Sequence, residues 1–182
     1  MKNHILSALR LSLVMLIIVG LYLGIVYAGS KILPTQGNAE IIHDQGQKFY
    51  VNIGQNFSSP KYFHGRPSAV DYNAAGSAGS NKGPSNEEYL QTVQKRIDTL
   101  KMQNPEMQNV KIPVELVTAS GSGLDPDISP EGAFYQAGRI AKARNISPDK
   151  VENLIKNQTE TSLFGPSKVN VLKLNIALNK LK

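Results

Sequence analysis

The chain has 182 residues, of which 41% are hydrophobic and 19% are charged, and it contains no cysteine. A chain of this length accommodates one compact domain plus an appendage. The lack of cysteine excludes disulfides, thiolate nucleophiles and cysteine-based zinc sites. His4, His43 and His64 lack the spacing of a metal site, so no metal or tightly bound cofactor is expected.

Half of the formal net charge of +6 comes from the first 31 residues of the chain. Lys2, Arg10 and Lys31 flank an apolar stretch, which leaves 17 basic and 14 acidic side chains in the rest of the sequence. The remaining net charge of +3 (17 − 14) is ordinary for a domain of this size and gives no sign of nucleic-acid binding. No nucleic-acid partner is predicted.

Residues 11–30 contain no charged side chain. At about 1.5 Å per residue, these twenty residues span roughly 30 Å as a helix, which matches the hydrocarbon core of a bilayer. Tyr22 and Tyr27 lie near the far end, where aromatic rings favour the headgroup region. A transmembrane helix is predicted. The alternative is a signal peptide cleaved after Val26-Tyr27-Ala28, although its apolar core would be unusually long.

The distribution of charge predicts the orientation of this helix. Residues 1–10 carry Lys2 and Arg10, whereas Lys31 is soon followed by Glu40 and Asp44. Because positive flanks stay inside, residues 1–10 are predicted to be cytoplasmic and the domain to lie outside the cell (inner) membrane, on a single-pass anchor.

Residues 31–46 are predicted to be a linker, and residues 47–182 a single compact extracytoplasmic domain. Its class is α+β (or α/β), with about three helices and a small sheet. Aromatic and β-branched residues predict strands at 48–53 and 112–117, the second confined to a start or an edge by Pro113. Residues 58–84 are rich in Gly, Ser, Asn and Pro and have no predicted regular structure. So long an irregular segment indicates a functional or docking role.

Three places in the sequence have residues typical of the start of a helix. A capping box at residues 85–88 predicts one helix that ends by Pro105. Ser129-Pro130 and Ser147-Pro148 each predict another, with Ser as the N-cap and Pro at the first helical position. Residues 169–181 are predicted to be a strand that passes into a terminal helix. The residues expected to face the core are Leu90, Val93, Ile97, Leu100, Ala133, Ala137, Ile140, Ala141, Val151, Leu154 and Ile155.

The turn Ser120-Gly121-Ser122-Gly123 is the main candidate for chemistry. It does not form the G-x-S-x-G elbow of serine hydrolases, nor either glycine-rich nucleotide motif. A turn with glycine at positive φ is the expected role, and a phosphate cradle is the alternative.

Two other sets of residues each allow a functional and a structural interpretation. Asp125, Asp127 and Glu131 do not follow a calcium-loop pattern and are expected to start turns and a helix. Phe63, His64, Arg66 and Tyr72 are interpreted either as a docking patch or as ordinary packing within the loop.

Six blocks of the sequence share a further pattern: residues 63–69 (FHGRPSA), 72–73 (YN), 78–86 (AGSNKGPSN), 113–130 (PVELVTASGSGLDPDISP), 139–144 (RIAKAR) and 169–178 (VNVLKLNIAL). Together they resemble the C subunit of the Kdp-type potassium-transporting ATPase, and the resemblance covers nearly the whole chain.

The resemblance implies a non-catalytic accessory subunit of a high-affinity, ATP-driven potassium uptake complex. Its implied partners are a potassium-channel-like subunit, a P-type ATPase subunit and a very small single-span subunit. The resemblance implies either a structural role in assembly or a role as a catalytic chaperone that raises the ATP affinity of the hydrolysing subunit. In the second role, Ser120, Gly121, Ser122, Gly123 and Gln136 contact the nucleotide.

The two implied roles conflict across a membrane, since a domain outside lies about 30 Å from ATP bound inside. Either the effect on ATP is coupled through the complex, or the topology is inverted. We hypothesise docking through the segment 63–86, with Phe63, Arg66, Tyr72, Asn73, Ser80 and Asn81 as contacts. The alternatives are an anchored enzyme or nucleotide-binding module that uses residues 118–123, and a generic scaffold.

Overall fold

The computed structural model describes residues 2–181, and their side chains from His4 onward. The chain divides into two units after Glu40. The first is built on helix α1 (Lys2–Ser30), and the second contains all the remaining elements. The mixture of helices and small sheets in the second unit confirms the predicted fold class.

Helix α1 contains the predicted span. Its segment His4–Ser30 includes an 18-residue stretch with a mean hydropathy of 2.5 and is long and apolar enough to cross a membrane. The ammonium of Lys31 lies 5.0 Å from the centre of the Tyr27 ring, just past the helix end. An amphipathic ring beside a cation is typical of a membrane interface.

The second unit opens with an antiparallel hairpin, β1 (Ile41–Asp44) and β2 (Gln47–Tyr50), in which Ile41 pairs with Tyr50. Gln45 and Gly46 both have positive φ, the conformation that two-residue hairpin turns require. Ile41–Asp44, which lie within the segment predicted to be a linker, thus form a strand. The strand predicted at 48–53 is confirmed only as far as Tyr50.

Helix α2 (Glu87–Gln103) ends before Pro105, as predicted. Its N-cap is Asn86, whose side chain accepts a hydrogen bond from Tyr89 N–H at 2.9 Å. The cap thus lies one residue beyond the predicted serine. Leu100 is buried and Val93 and Ile97 pack against the core, but Leu90 is half exposed, contrary to expectation.

The strand predicted at residues 112–117 is wrong. A short 3-10 helix begins there after Pro113 (Val114–Leu116), and the N–H groups of Val117 and Thr118 bond back to Val114 O. A second 3-10 turn, Pro105–Met107, follows α2. Proline supplies no strand hydrogen bond, and here its fixed φ begins a tight turn instead.

The main sheet has three short antiparallel strands in the order β3-β5-β4. These are β3 (Asp127–Ile128), β4 (Thr159–Glu160) and β5 (Lys168–Asn170). Helices α3 (Pro130–Arg144), α4 (Pro148–Gln158) and α5 (Val171–Lys180) complete the domain. The predictions for α3, α4 and the strand-to-helix C-terminus are confirmed.

The core is formed mainly by α3, α4, α5 and β5. Ala133, Ala137 and Ala141 repeat every four residues along α3, and these small side chains allow close approach of a neighbouring helix. Val151 and Ile155 of α4 are fully buried, and Leu154 packs at the edge. Burial of such side chains contributes about 1.5–3 kcal/mol each.

Candidate functional site

Phe63 anchors the irregular segment 54–86 to the core. Its ring is 0% exposed and belongs to the hydrophobic cluster. Its backbone N–H donates to Asn175 Oδ1 at 2.9 Å, and its carbonyl accepts from Asn175 Nδ2 at 2.9 Å. A side-chain amide thereby replaces the strand partner that this part of the loop lacks, which satisfies two buried polar groups.

Gln136 holds the next residue in the same way. The N–H of His64 donates to Gln136 Oε1 at 2.8 Å, and Gln136 Nε2 donates to His64 O at 3.1 Å. The same amide also donates to Gly132 O and accepts from Arg139 Nη2. Gln136 is 0% exposed, and both of its N–H donors are used within the domain.

Arg139 is a buried cation that binds the preceding part of the segment. It is 6% exposed, and its guanidinium donates to Pro60 O, to Tyr62 O, to Asn104 Oδ1 and to Gln136 Oε1. Burial lowers the pKa of Arg139 to about 10, so the side chain stays charged at neutral pH. Four oxygen acceptors compensate for its lost hydration.

The His64 ring is neutral at physiological pH. Burial lowers the pKa of His64, and the positive charge of Arg139 lowers it further. In this state Nε2–H donates to Ser59 O at 3.0 Å. The ring therefore supports the loop, and within residues 2–181 no histidine forms a hydrogen bond with the side chain of a serine.

The two glycine- and serine-rich blocks of the sequence pack on each other. The N–H of Ala78 donates to Ser122 O at 3.0 Å, and Ser68 Oγ donates to Gly123 O at 2.7 Å. Ser120 N–H donates to Pro67 O at 3.2 Å. We call residues 66–80 together with residues 120–125 the Gly/Ser layer.

The Gly/Ser layer requires glycine at position 123. Gly123 has φ +68, and a Cβ there would lie 2.6 Å from Val70 Cγ2 and 2.8 Å from Ala78 O. Gly121 has an ordinary φ and open space around it. Only one of the two glycines in this turn is therefore fixed by the packing.

The acidic residues near this layer form ion pairs within the domain. Arg66 Nη1 lies 2.9 Å from Asp125 Oδ2, with side chains 26% and 30% exposed. Lys168 lies 2.8 Å from Asp127, and Glu131 occupies the first turn of α3. Within residues 2–181, no group of three or more acidic or histidine side chains is arranged to hold a metal ion.

The residues predicted for nucleotide contact differ in their exposure to solvent. Ser120 is 3% exposed, whereas Gly121 lies on the surface, and Gln136 is enclosed between α3 and the segment 60–64. Ser122 Oγ accepts from the N–H of Leu124 at 3.1 Å. The nucleotide assignment remains a prediction for these residues.

The residues predicted for docking form an inner and an outer group. Phe63 lies in the core and holds the loop in place. Arg66 forms an ion pair with Asp125 of the same domain. The hydroxyl of Tyr72 donates to Arg66 O. Asn73 and Asn81 are exposed, and Ser80 is half-buried. Their contact with a partner remains a prediction.

Sequence reasoning missed Asn175 and Arg139 as supports of this loop. Both lie on helical faces that are otherwise apolar, and a polar residue on a buried face is itself a signal of an internal partner. The partner cannot be read from the chain, because Asn175 lies 112 residues after Phe63.

Comparison with known proteins shows the family of this chain. The family model described as "K+-transporting ATPase, c chain" matches residues 5–180. A protein of Flavobacterium johnsoniae named "Potassium-transporting ATPase KdpC subunit" is 53% identical, and the match covers 100% of both chains. Proteins of the same name from Flavobacterium psychrophilum and Methylococcus capsulatus are 49% and 44% identical, again over 100% of both chains. The chain therefore belongs to the KdpC family, the c chain of K+-transporting ATPases, which is an accessory subunit and not the catalytic one.

Proposed function

We propose that this chain assembles and stabilises an ATP-driven potassium uptake complex, and that residues 65–86 form the surface on which another subunit docks. One observation carries the proposal. The two residues that precede this segment, Phe63 and His64, are fixed to α5 and α3 through Asn175 and Gln136, while the segment itself presents Asn73 and Asn81 to solvent. A preorganised loop loses little conformational entropy on binding, so more of its contact energy remains for association.

The partners that we propose are the other subunits of the same ATPase. They are a potassium-channel-like subunit, a P-type ATPase subunit that hydrolyses ATP, and a very small single-span subunit. The family supports this proposal, because its relatives are named as one subunit of a potassium-transporting ATPase. We assign the docking contact of residues 65–86 to the channel-like subunit.

We propose that the membrane is the cell (inner) membrane, with the N-terminus of the chain in the cytoplasm and residues 41–182 outside. The basic residues before the apolar helix support this orientation. External protease applied to intact spheroplasts, followed by detection of a C-terminal tag, tests it. Loss of the tag is expected. Survival of the tag until lysis, with the purified chain readily cut, would reverse the orientation.

Any effect of this chain on ATP affinity then acts through the assembled complex. A domain outside cannot contact a nucleotide bound inside, so the effect requires coupling between the subunits. The near-complete burial of Ser120 and Gln136 supports this interpretation. We therefore propose the chaperone role in its coupled form, without direct contact between this chain and ATP.

Purification of the tagged chain from potassium-starved cells tests the proposed function. We expect the channel-like and P-type ATPase subunits to co-purify with it, together with potassium-dependent ATP hydrolysis. Cells that lack the chain should lose both the assembled complex and growth at low potassium. Normal assembly and growth in such cells would refute the proposal.

A further inference from the structure

A cleft of about 430 Å³ lies between α2 and the inner part of the irregular segment. Its apolar lining includes Phe57, Pro67, Leu100 and Leu116. This volume and this mainly apolar lining are typical of binding sites that enclose a small group or a few side chains. His64 and Gln136, which are hydrogen-bonded to each other, form part of its wall.

The charged side chains that line this cleft are all positive. Helix α2 contributes Lys95 and Arg96, and no aspartate or glutamate lines the cleft. Arg96 Nη1 donates to Val117 O at 3.0 Å, which orients the guanidinium. Within residues 2–181 neither cation forms an ion pair. The cleft therefore has two uncompensated positive charges beside an apolar surface.

The surroundings favour a carboxylate over a phosphate group. The contribution of α2 to the lining begins at Thr92, a full turn beyond the helix start at Glu87, so the N-terminal amides that bind phosphate in many proteins are elsewhere. The hydroxyls of Thr92 and Thr99 donate to carbonyls of their own helix. The other polar residues of the lining, which include Asn56, Ser58 and Gln103, carry no charge. The guanidinium and the ammonium are therefore the groups that would pair with a side-chain carboxylate.

We propose that this cleft binds an acidic polypeptide segment of another subunit of the same complex. An aspartate or glutamate of that segment pairs with Lys95 and Arg96, and a neighbouring apolar side chain packs on Phe57 and Leu100. This inference rests on the proposed assembly function and extends the docking surface from the segment 65–86 to α2. Complementary charge would direct the encounter, and the apolar contact would hold the bound state.

Carbodiimide cross-linking of the purified complex tests the proposal directly, because this reagent joins a lysine amine to a carboxylate only when the two are in contact. We expect mass spectrometry to find an isopeptide between Lys95 and an aspartate or glutamate of another subunit. Lys101 lies on the same helix, is exposed and does not line the cleft, so it is the matched control. It should form no such product.

Charge reversal supplies the second measurement. We expect Lys95→Glu to weaken co-purification of the other subunits about fivefold at physiological salt, with a smaller loss at high salt, whereas Lys101→Glu should leave it unchanged. Arg96→Gln, which can still donate to Val117 O, should also weaken it. Unchanged circular dichroism of the full-length variants would confirm that the fold is intact.

The outcomes separate this inference from the function on which it rests. If the other subunits co-purify normally but Lys95 is neither cross-linked nor sensitive to charge reversal, the cleft proposal is wrong and the assembly function stands. If the chain co-purifies with no ATPase subunit, both fail. Protection of Lys95 from acetylation by ATP, without any cross-link to another subunit, would replace the acidic segment with a nucleotide.

Discussion

Asn175 of α5 holds the backbone of Phe63 through two hydrogen bonds of 2.9 Å, one to its N–H and one to its carbonyl. Asn175 is 1% exposed and Phe63 is fully buried. The pair therefore joins the irregular segment to the terminal helix at a point that water does not reach. Beside it, Gln136 repeats the same arrangement with His64.

Removal of this amide should destabilise the whole domain. Asn175→Ala leaves two buried backbone groups of Phe63 unpaired, and we expect the free energy of unfolding to fall by about 2–4 kcal/mol. Urea unfolding of the full-length chain in detergent, followed by near-ultraviolet circular dichroism of its tyrosines, measures the change. Asn153→Ala, at an exposed position of α4, is the control. Equal stability of the two variants would contradict a structural role for the Asn175 amide.

The Gly/Ser layer offers a matched pair of glycines. Gly123→Ala introduces a Cβ 2.6 Å from Val70 Cγ2 at a positive φ, whereas Gly121→Ala meets open space. We expect Gly123→Ala to cost about 1–3 kcal/mol of stability and Gly121→Ala less than about 1 kcal/mol. Thermal unfolding of both full-length variants makes the comparison. A larger loss for Gly121→Ala would show that the layer does not constrain the turn as described.

Arg66 and Asp125 are expected to act as a pair within the domain. Their side chains are 26% and 30% exposed, so the interaction is partly screened, and we expect a coupling energy of about 1 kcal/mol. A double-mutant cycle with Arg66→Ala and Asp125→Ala, read by urea unfolding, measures it. If Arg66 instead serves mainly to dock a partner, its substitution should reduce complex assembly, the two effects on stability should be additive, and Asp125→Ala should leave assembly intact.

The neutral state of His64 makes stability depend on pH. Its pKa in the folded chain is lowered by burial and by Arg139, whereas in the unfolded chain it stays near 6.5. The unfolded state therefore binds more protons below about pH 6.5, so stability is complete above that value and falls as the pH drops towards the lowered folded pKa.

Substitution of His64 should remove this pH dependence. We expect His64→Gln to flatten the change in unfolding free energy between pH 7.5 and 5.5, while His43→Gln, at an exposed position of β1, leaves it as in the wild type. Urea unfolding at the two pH values measures it. If the unfolding free energy changes equally with pH in the wild type and in both variants, groups other than His64 cause the pH dependence.

The outer asparagines of the segment are expected to affect assembly and not folding. Asn73 and Asn81 are exposed, and Asn81 has a positive φ that aspartate also tolerates. The double variant Asn73→Asp, Asn81→Asp should lower recovery of the complex about tenfold and leave thermal unfolding within about 0.5 kcal/mol of the wild type. Asn157→Asp on α4 is the control. Full recovery of the complex with the double variant would remove these two residues from the docking surface.

Several features of this protein could be predicted from local sequence because their physical cause is local. The absence of charge over residues 11–30 predicts a helix of bilayer length, and Ser129-Pro130 and Ser147-Pro148 fix two helix starts through capping and a preset φ. The prediction of a strand at 112–117 was wrong because Pro113 begins a 3-10 turn. The hairpin strand at Ile41–Asp44 was missed because the turn Gln45-Gly46 is a weak signal without its pairing partner.

The roles of the polar residues were decided by tertiary structure alone. Nothing near Asn175, Gln136 or Arg139 in the chain indicates that each binds the backbone of residues 60–64, which lie 72 to 112 positions earlier. The same holds for Arg66, whose partner Asp125 is 59 residues away. The sequence by itself thus determined the family, the long apolar helix and the main helices, because motifs, hydropathy and caps are properties of contiguous residues. Only the fold decided which residues hold the loop and which remain exposed, because a buried hydrogen bond depends on groups that the chain brings together only when it folds.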